Sequence, residues 1–167
     1  GGGGAVITND EKLAAKAKHL TTTAKKKHAW EFDHDKIGFN YRMTNVSAAI
    51  GCAQLERLEE FLSRKRILAS RYAEAFSDVN GVQFFEEPTE CRSNYWLNII
   101  LLDEAFQNQR DLVLKRLNEA GLMSRPAWKP LSDLLPYRNC PRMDLAVADS
   151  LYRRLINIPS NPSLTAL

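Results

Sequence analysis

The chain reads as an α/β protein, and three observations carry that expectation. Between residues 77 and 167, short apolar runs suited to strands alternate with segments whose apolar residues recur at helical spacing. Residues 44–76 hold one apolar stripe, from Val46, Ala49, Ile50 and Ala53 through Leu58, Phe61, Leu62, Leu68, Tyr72 and Phe76. Arg57, Glu60, Arg64 and Arg71 occupy the opposite face, so this is one long helix, or two nearly collinear ones broken near Glu59. A β-branched run, Ala5-Val6-Ile7-Thr8, precedes an amphipathic helix capped by Asn9-Asp10.

Taken in order, Ala5–Thr8 is expected as a buried strand and the helix after it runs to about Leu20. Gly1 to Gly4 lead into the strand instead of opening a helix, which excludes a phosphate-cradling glycine loop. With no initiator Met, and a first strand that needs a neighbour, the chain reads as part of a longer one. Leu20 to Asp35 has no clear period. It carries Thr21-Thr22-Thr23, Lys25-Lys26-Lys27, then His28, Trp30, Phe32 and His34, the composition of a surface loop with functional potential.

The stretch from Lys36 to Gly51 is the most informative. It tightens at Gly38, presents Asn40 and Arg42, and enters the long helix at the Thr44 cap. Helix starts carry unpaired N–H groups and partial positive charge. An amide and a guanidinium just ahead of one make a candidate phosphate site, because Arg can fork onto phosphate oxygens. The plain alternative is a loop with one cap and one exposed Arg. Small residues at Ala48, Ala49 and Gly51–Ala53 permit another backbone to pack closely there.

Asn80-Gly81 marks a turn, after which Val82–Phe85 reads as a strand and Tyr95–Leu102, apolar on both faces apart from Asn98, as a buried one. Arg110–Ala120 is helical, with Leu112, Val113 and Leu117 inward and Gly121 at its stop. Leu122–Arg125 reads as a further strand, and Leu145–Leu155 as a helix. Pro159 and Pro162 end the ordered part. The expected parts are 1–43, 44–76 and 77–167.

Composition excludes several classes. The 167 residues are 44% hydrophobic and 26% charged, with net charge +3, which suits acidic small molecules better than nucleic acid. No apolar run is long enough to cross a bilayer. The cysteines, Cys52, Cys91 and Cys140, are widely spaced and unpaired, pointing to a reducing cytoplasm and away from a zinc site. His28 and His34 lack the i, i+4 spacing of a helical metal pair, so no metal is expected.

The segments Gly-Gly-Ala-Val-Ile-Thr-Asn-Asp-Glu, His-Leu-Thr-Thr-Thr-Ala-Lys and Trp-Glu-Phe-Asp-His-Asp-Lys-Ile-Gly-Phe-Asn-Tyr-Arg-Met-Thr-Asn stand in this order along the chain. Together they resemble the DegT/DnrJ type of sugar aminotransferase. The likeness continues through Gln54-Leu55-Glu56 and Arg125-Pro126-Ala127-Trp128 to Ile156-Asn157-Ile158-Pro159-Ser160. It implies the C-terminal part of an aspartate-aminotransferase-type (fold type I) enzyme: the end of the large domain with its active-site loop, an interdomain helix and the small domain. The Thr-Thr-Thr-Ala-Lys and Trp-Glu-Phe segments are similar to the branch aminating nucleotide-linked 4-keto-6-deoxy amino sugars, of the bacillosamine and legionaminic-acid type.

The resemblance implies pyridoxal 5′-phosphate as cofactor, glutamate as amino donor, and a homodimer whose two sites share loops. The Schiff-base lysine falls just upstream of the residues matching Gly1 to Gly4, so no lysine of this chain takes that role and the 167 residues alone are expected to be inactive. By position, Asn40 binds the cofactor phosphate of the partner subunit and Arg42 reaches the substrate diphosphate. Trp30 and His28 lie near the nucleotide sugar, and Arg125 and Trp128 line the sugar pocket. Ser132, a further candidate substrate contact, stands where many relatives have a histidine. Two rivals are a non-catalytic small-molecule-binding α/β domain and a nucleic-acid module built on Lys25–Lys27. The acidic residues downstream of that run weaken the latter.

Overall fold

The computed structural model describes residues 2–165, so Gly1 of the glycine run lies outside the described residues. Two compact units are present, Gly1–Leu58 and Glu59–Leu167. This division falls inside the helical run rather than at its two ends. The run is interrupted at Arg57, whose φ of −105° and ψ of 7° leave the helical region. Helix α2 (Asn45–Glu56) thus ends before helix α3 (Leu58–Phe76) begins.

In the first unit, α1 (Glu11–Thr21) starts where expected, because the Asp10 carboxylate accepts from the amides of Lys12 and Leu13. Thr44 caps α2 in the same way through Ser47. The strand expected over Ala5–Thr8 does not form, and Val6 and Ile7 are 73% and 92% exposed. A strand needs a neighbour for its backbone groups, and none pairs with this run among the described residues.

The second unit holds a four-stranded antiparallel sheet in the order β1-β2-β4-β3, with β1 Val82–Phe84, β2 Asn98–Leu102, β3 Arg125–Pro126 and β4 Leu155–Ile158. The register sets Ile100 opposite Ile156 and Asn98 opposite Ile158. Ile100, Leu102, Ile156 and Ile158 are buried, and Tyr72 and Phe76 of α3 pack on them with Val113, Leu114 and Leu117 of α4 (Arg110–Glu119). Leu112, expected inward, is 49% exposed, and Leu114 takes the core position. Gly121 has φ +78°, the left-handed turn that ends α4 and favours glycine.

Two further expectations shift. The segment ahead of β2 is not extended: Tyr95 is left-handed with φ +44°, and Trp96 turns outward to 66% exposure. Helix α5 (Ala146–Arg154) stops one residue early because Leu155 adopts extended backbone and begins β4, a strand the helical pattern concealed. Burying Ile156 and Ile158 against β2 outweighs one more helical residue. The Asn98 side chain is fully buried, and neither its Oδ1 nor its Nδ2 has a hydrogen-bond partner among the described residues.

Candidate functional site

The loop of the first unit is ordered by backbone pairing that its composition did not disclose. Thr22 bridges Asn40 and Lys25 bridges His34, both antiparallel. The amide of Phe39 donates to the Leu20 carbonyl at 2.7 Å, that of Thr23 to Phe39 at 3.0 Å, and that of Tyr41 to Thr21 at 2.9 Å. Thr23 and Ala24 take left-handed backbone, φ 70° and 51°, and Ala24 is fully buried. Gly38 passes against this bend so closely that a Cβ there would lie 2.5 Å from the Thr23 carbonyl carbon. The expected tightening at Gly38 is therefore a backbone-on-backbone contact.

Side-chain pairs hold the same loop. Lys26 Nζ reaches Asp33 at 2.7 Å, and this bond holds the Asp33 carboxyl below its ordinary range and raises the lysine. His19 Nε2 lies 2.6 Å from Asp35, which lowers that carboxyl as well. Lys25 Nζ sits 3.7 Å from the Phe32 ring centroid, a cation–π contact.

Arg42 and His28 come together at an open depression of about 590 Å³, lined also by Thr22, Lys25, Lys26 and Lys27. Arg42 borders a second cleft, of about 710 Å³, with Gly3, Lys18 and Tyr41. Asn40 is exposed, two residues before Arg42 and ahead of the Thr44 cap. Trp30 is 77% exposed and meets His28 edge-on, centroids 5.1 Å apart, but does not line the depression. Guanidinium and ammonium donors around an open basin form a donor set suited to phosphate oxygens, while the Asn40 amide lines neither depression. The sequence pattern places the lysines of the basin on a solvated surface; their sharing a basin with Arg42 depends on the loop's pairing.

The second unit carries a cleft of about 580 Å³ that brings Arg125 and Trp128 together with Trp96, Met123, Asn157 and Ser160. The indoles of Trp96 and Trp128 stack with centroids 5.9 Å apart and planes 26° from parallel. Asn157 Nδ2 donates to the Pro126 carbonyl at 3.0 Å, tying β4 to the strand that bears Arg125. Ser132 is not part of this cleft. It sits in a 3-10 turn, Leu131–Asp133, where its carbonyl accepts from Arg142. Trp96 is absent from the residues the sequence singles out, because the apolar run from Tyr95 to Leu102 assigns it to a strand interior. Its available signal was a second Trp directly after Asn94-Tyr95, a polar-to-aromatic break ahead of the apolar run.

The sequence profile of the DegT/DnrJ/EryC1/StrS aminotransferase family matches residues 1–166. The chain belongs to this family. The GDP-perosamine synthase of Escherichia coli O157:H7 is 36% identical over 165 residues, covering 99% of the chain and 44% of that protein. The chain spans less than half the length of the curated relatives it matches. Among solved structures, Helicobacter pylori PseC, an aminotransferase involved in pseudoaminic acid biosynthesis, superposes with a TM-score of 0.86 at 24% identity. That match covers 94% of the chain and 43% of PseC. Spr1654 from Streptococcus pneumoniae, solved in a PLP form, aligns at TM-score 0.79 and 25% identity, over 92% of the chain and 40% of its own. These likenesses give the DegT/DnrJ chain a fold-type I aminotransferase fold.

Proposed function

We propose that these residues are the C-terminal part of a pyridoxal-phosphate-dependent aminotransferase that moves an amino group, from glutamate, onto a nucleotide-linked keto-deoxysugar. Family membership over nearly the whole chain carries this reading, and relatives named for nucleotide-sugar amination support the substrate class. The finer assignments are a nucleotide-linked 4-keto-6-deoxy amino sugar, a cytoplasmic setting and a homodimer with shared sites. Among the described residues no helix is long and apolar enough to cross a membrane. The helical run between 45 and 76 joins the large-domain portion to the small domain.

The donor set of the first unit fits a phosphate-bearing group. Asn40 offers an uncharged amide for the cofactor phosphate, and Arg42, with Lys25 and Lys27 beside it, offers cationic donors to the substrate diphosphate. Bound pyridoxal phosphate supplies the electron sink that lets an amino group pass between carbon centres. The chain's own residues bind and orient. The Gly38 contact fixes the loop that carries Asn40 and Arg42, and the basin's positive charge attracts the nucleotide from solution. In the small domain, Arg125 and Trp128 offer a cation and an indole face to the sugar, while Trp30 and His28 border the nucleotide's approach.

The full-length protein, given glutamate and a UDP- or GDP-linked 4-keto-6-deoxyhexose, should release the 4-amino sugar nucleotide. Absence of amine from both, with pyridoxal phosphate bound, would favour the non-catalytic binding domain. The shared site has its own test. Subunits carrying Asn40→Ala and Arg42→Ala, mixed with subunits lacking the upstream lysine, should regain activity, because one site of each mixed pair is whole. Subunit exchange without recovered activity would assign the loop to its own subunit.

A further inference from the structure

Lys65 on α3 directs its ammonium at three backbone carbonyls: Ser160 at 2.7 Å, Tyr95 at 3.0 Å and Trp96 at 3.3 Å. An ammonium has three N–H donors, so each acceptor can be matched. These carbonyls belong to two segments that line the cleft from different strands, the Trp96 turn before β2 and the Ser160 turn after β4. The same turns are joined a second time, where the Asn98 backbone N–H donates to Ser160 Oγ at 2.7 Å.

Trp96 itself is held in an unusual way. The preceding Tyr95 is buried and left-handed, a conformation an L-residue keeps only when its surroundings impose it. Its phenol oxygen accepts from the Glu87 amide at 3.4 Å, and the Arg66 guanidinium lies 5.5 Å from its ring centroid. Tyr95 is thereby anchored inward, and the reversal at its φ turns Trp96 outward onto Trp128. Two exposed indoles stacked on one another form a flat apolar surface beside Arg125. With 5.9 Å between centroids, no ring fits between them, since that needs roughly 7 Å, twice a carbon–carbon contact distance. A ring must therefore stack on an outer indole face.

We propose that Lys65 is a positioning residue of the small-domain cleft, holding Trp96 against Trp128, and that Trp96 is a specificity-determining residue stacking on the hexose of the sugar nucleotide. This rests on the reading above that the cleft receives the sugar. Packing alone is a poor reason for a lysine at this place. Burial lowers its pKa, and an apolar side chain would fill the same space without a charge to desolvate. What an apolar side chain cannot do is fix three carbonyls on two turns at once.

The test uses the full-length protein with a UDP-linked 4-keto-6-deoxy-N-acetylhexosamine as probe. In Lys65→Met the exciton-coupled indole band in near-ultraviolet circular dichroism should fall by at least about half. KM for the probe should rise about ten-fold with kcat within about two-fold, the pattern of a lost ground-state binding contact. Lys65→Arg, which keeps donors to the carbonyls, should recover most of both. Trp96→Ala, a change at an exposed residue, should raise KM as Lys65→Met does. A folded Lys65→Met protein with an unchanged indole band and unchanged KM overturns the proposal. So does an unchanged KM in Trp96→Ala, which decides the matter even if every Lys65 variant fails to fold. If Trp128→Ala also leaves KM unchanged, the sugar cleft itself is wrong; if only Trp96→Ala does, the cleft stands and this inference alone fails.

Discussion

Gly38 lies against Thr23 so closely that an added Cβ would meet the Thr23 carbonyl carbon at 2.5 Å and the Ala24 nitrogen at 2.6 Å. Both are backbone atoms in a left-handed bend that Asp35, whose backbone N–H donates to the Ala24 carbonyl, and His34, whose ring meets the Thr23 carbonyl, help to hold. The position of Asn40 and Arg42 follows from this contact, because the chain reaches them directly after crossing the bend.

Gly38→Ala should therefore cost stability and phosphate binding together. Overpacking against backbone is worth about 1–3 kcal/mol. The denaturation midpoint should fall accordingly, and pyridoxal phosphate should bind the full-length protein more weakly. A variant with unchanged midpoint and affinity would show that the loop can move aside and that its anchoring does not set the site.

Arg42→Ala should separate the two half-reactions. A charge-assisted hydrogen bond is typically worth roughly 1.5–3 kcal/mol, or about ten- to a hundred-fold in affinity for the sugar nucleotide. The glutamate half-reaction should stay near its original rate, since glutamate has no diphosphate for Arg42 to hold. Equal losses in both would point to damage to the fold.

Acid should weaken the second unit through Glu87. Its carboxylate accepts from the Arg66 guanidinium and the Ser93 amide, and these bonds lower its pKa from the ordinary 4.5. The unfolded chain then takes up a proton first as pH falls. The pair's contribution is complete above the unfolded value and is lost as pH drops through the lowered folded one. Glu87→Gln should flatten the acid limb of a plot of unfolding midpoint against pH. An acid limb of unchanged slope would place the destabilising protonation elsewhere.

Local signals were enough for much of this molecule. Asp10 and Thr44 cap helices because a side-chain oxygen two or three residues from an open N–H needs no distant neighbour. Gly121 ends α4 for a similarly local reason, a backbone conformation glycine adopts cheaply. The chemistry of Asn40 and Arg42 ahead of a helix start was visible too, as was the family pattern that runs through them. Tertiary structure decided what depends on partners far along the chain. Ile156 and Ile158 form a strand because β2 is beside them, although the apolar spacing before them is helical. Val6 and Ile7 stay exposed and outside any strand for want of such a neighbour among the described residues. Trp96 faces outward because Tyr95 and Lys65 impose a reversal where the pattern continues a buried strand. Lys25 and Lys27 join Arg42 at one basin only through the pairing of Thr22 with Asn40. Caps and turns close over a few residues, whereas strand partners and cleft walls are fixed by contacts across tens of residues, whose closure no local pattern encodes.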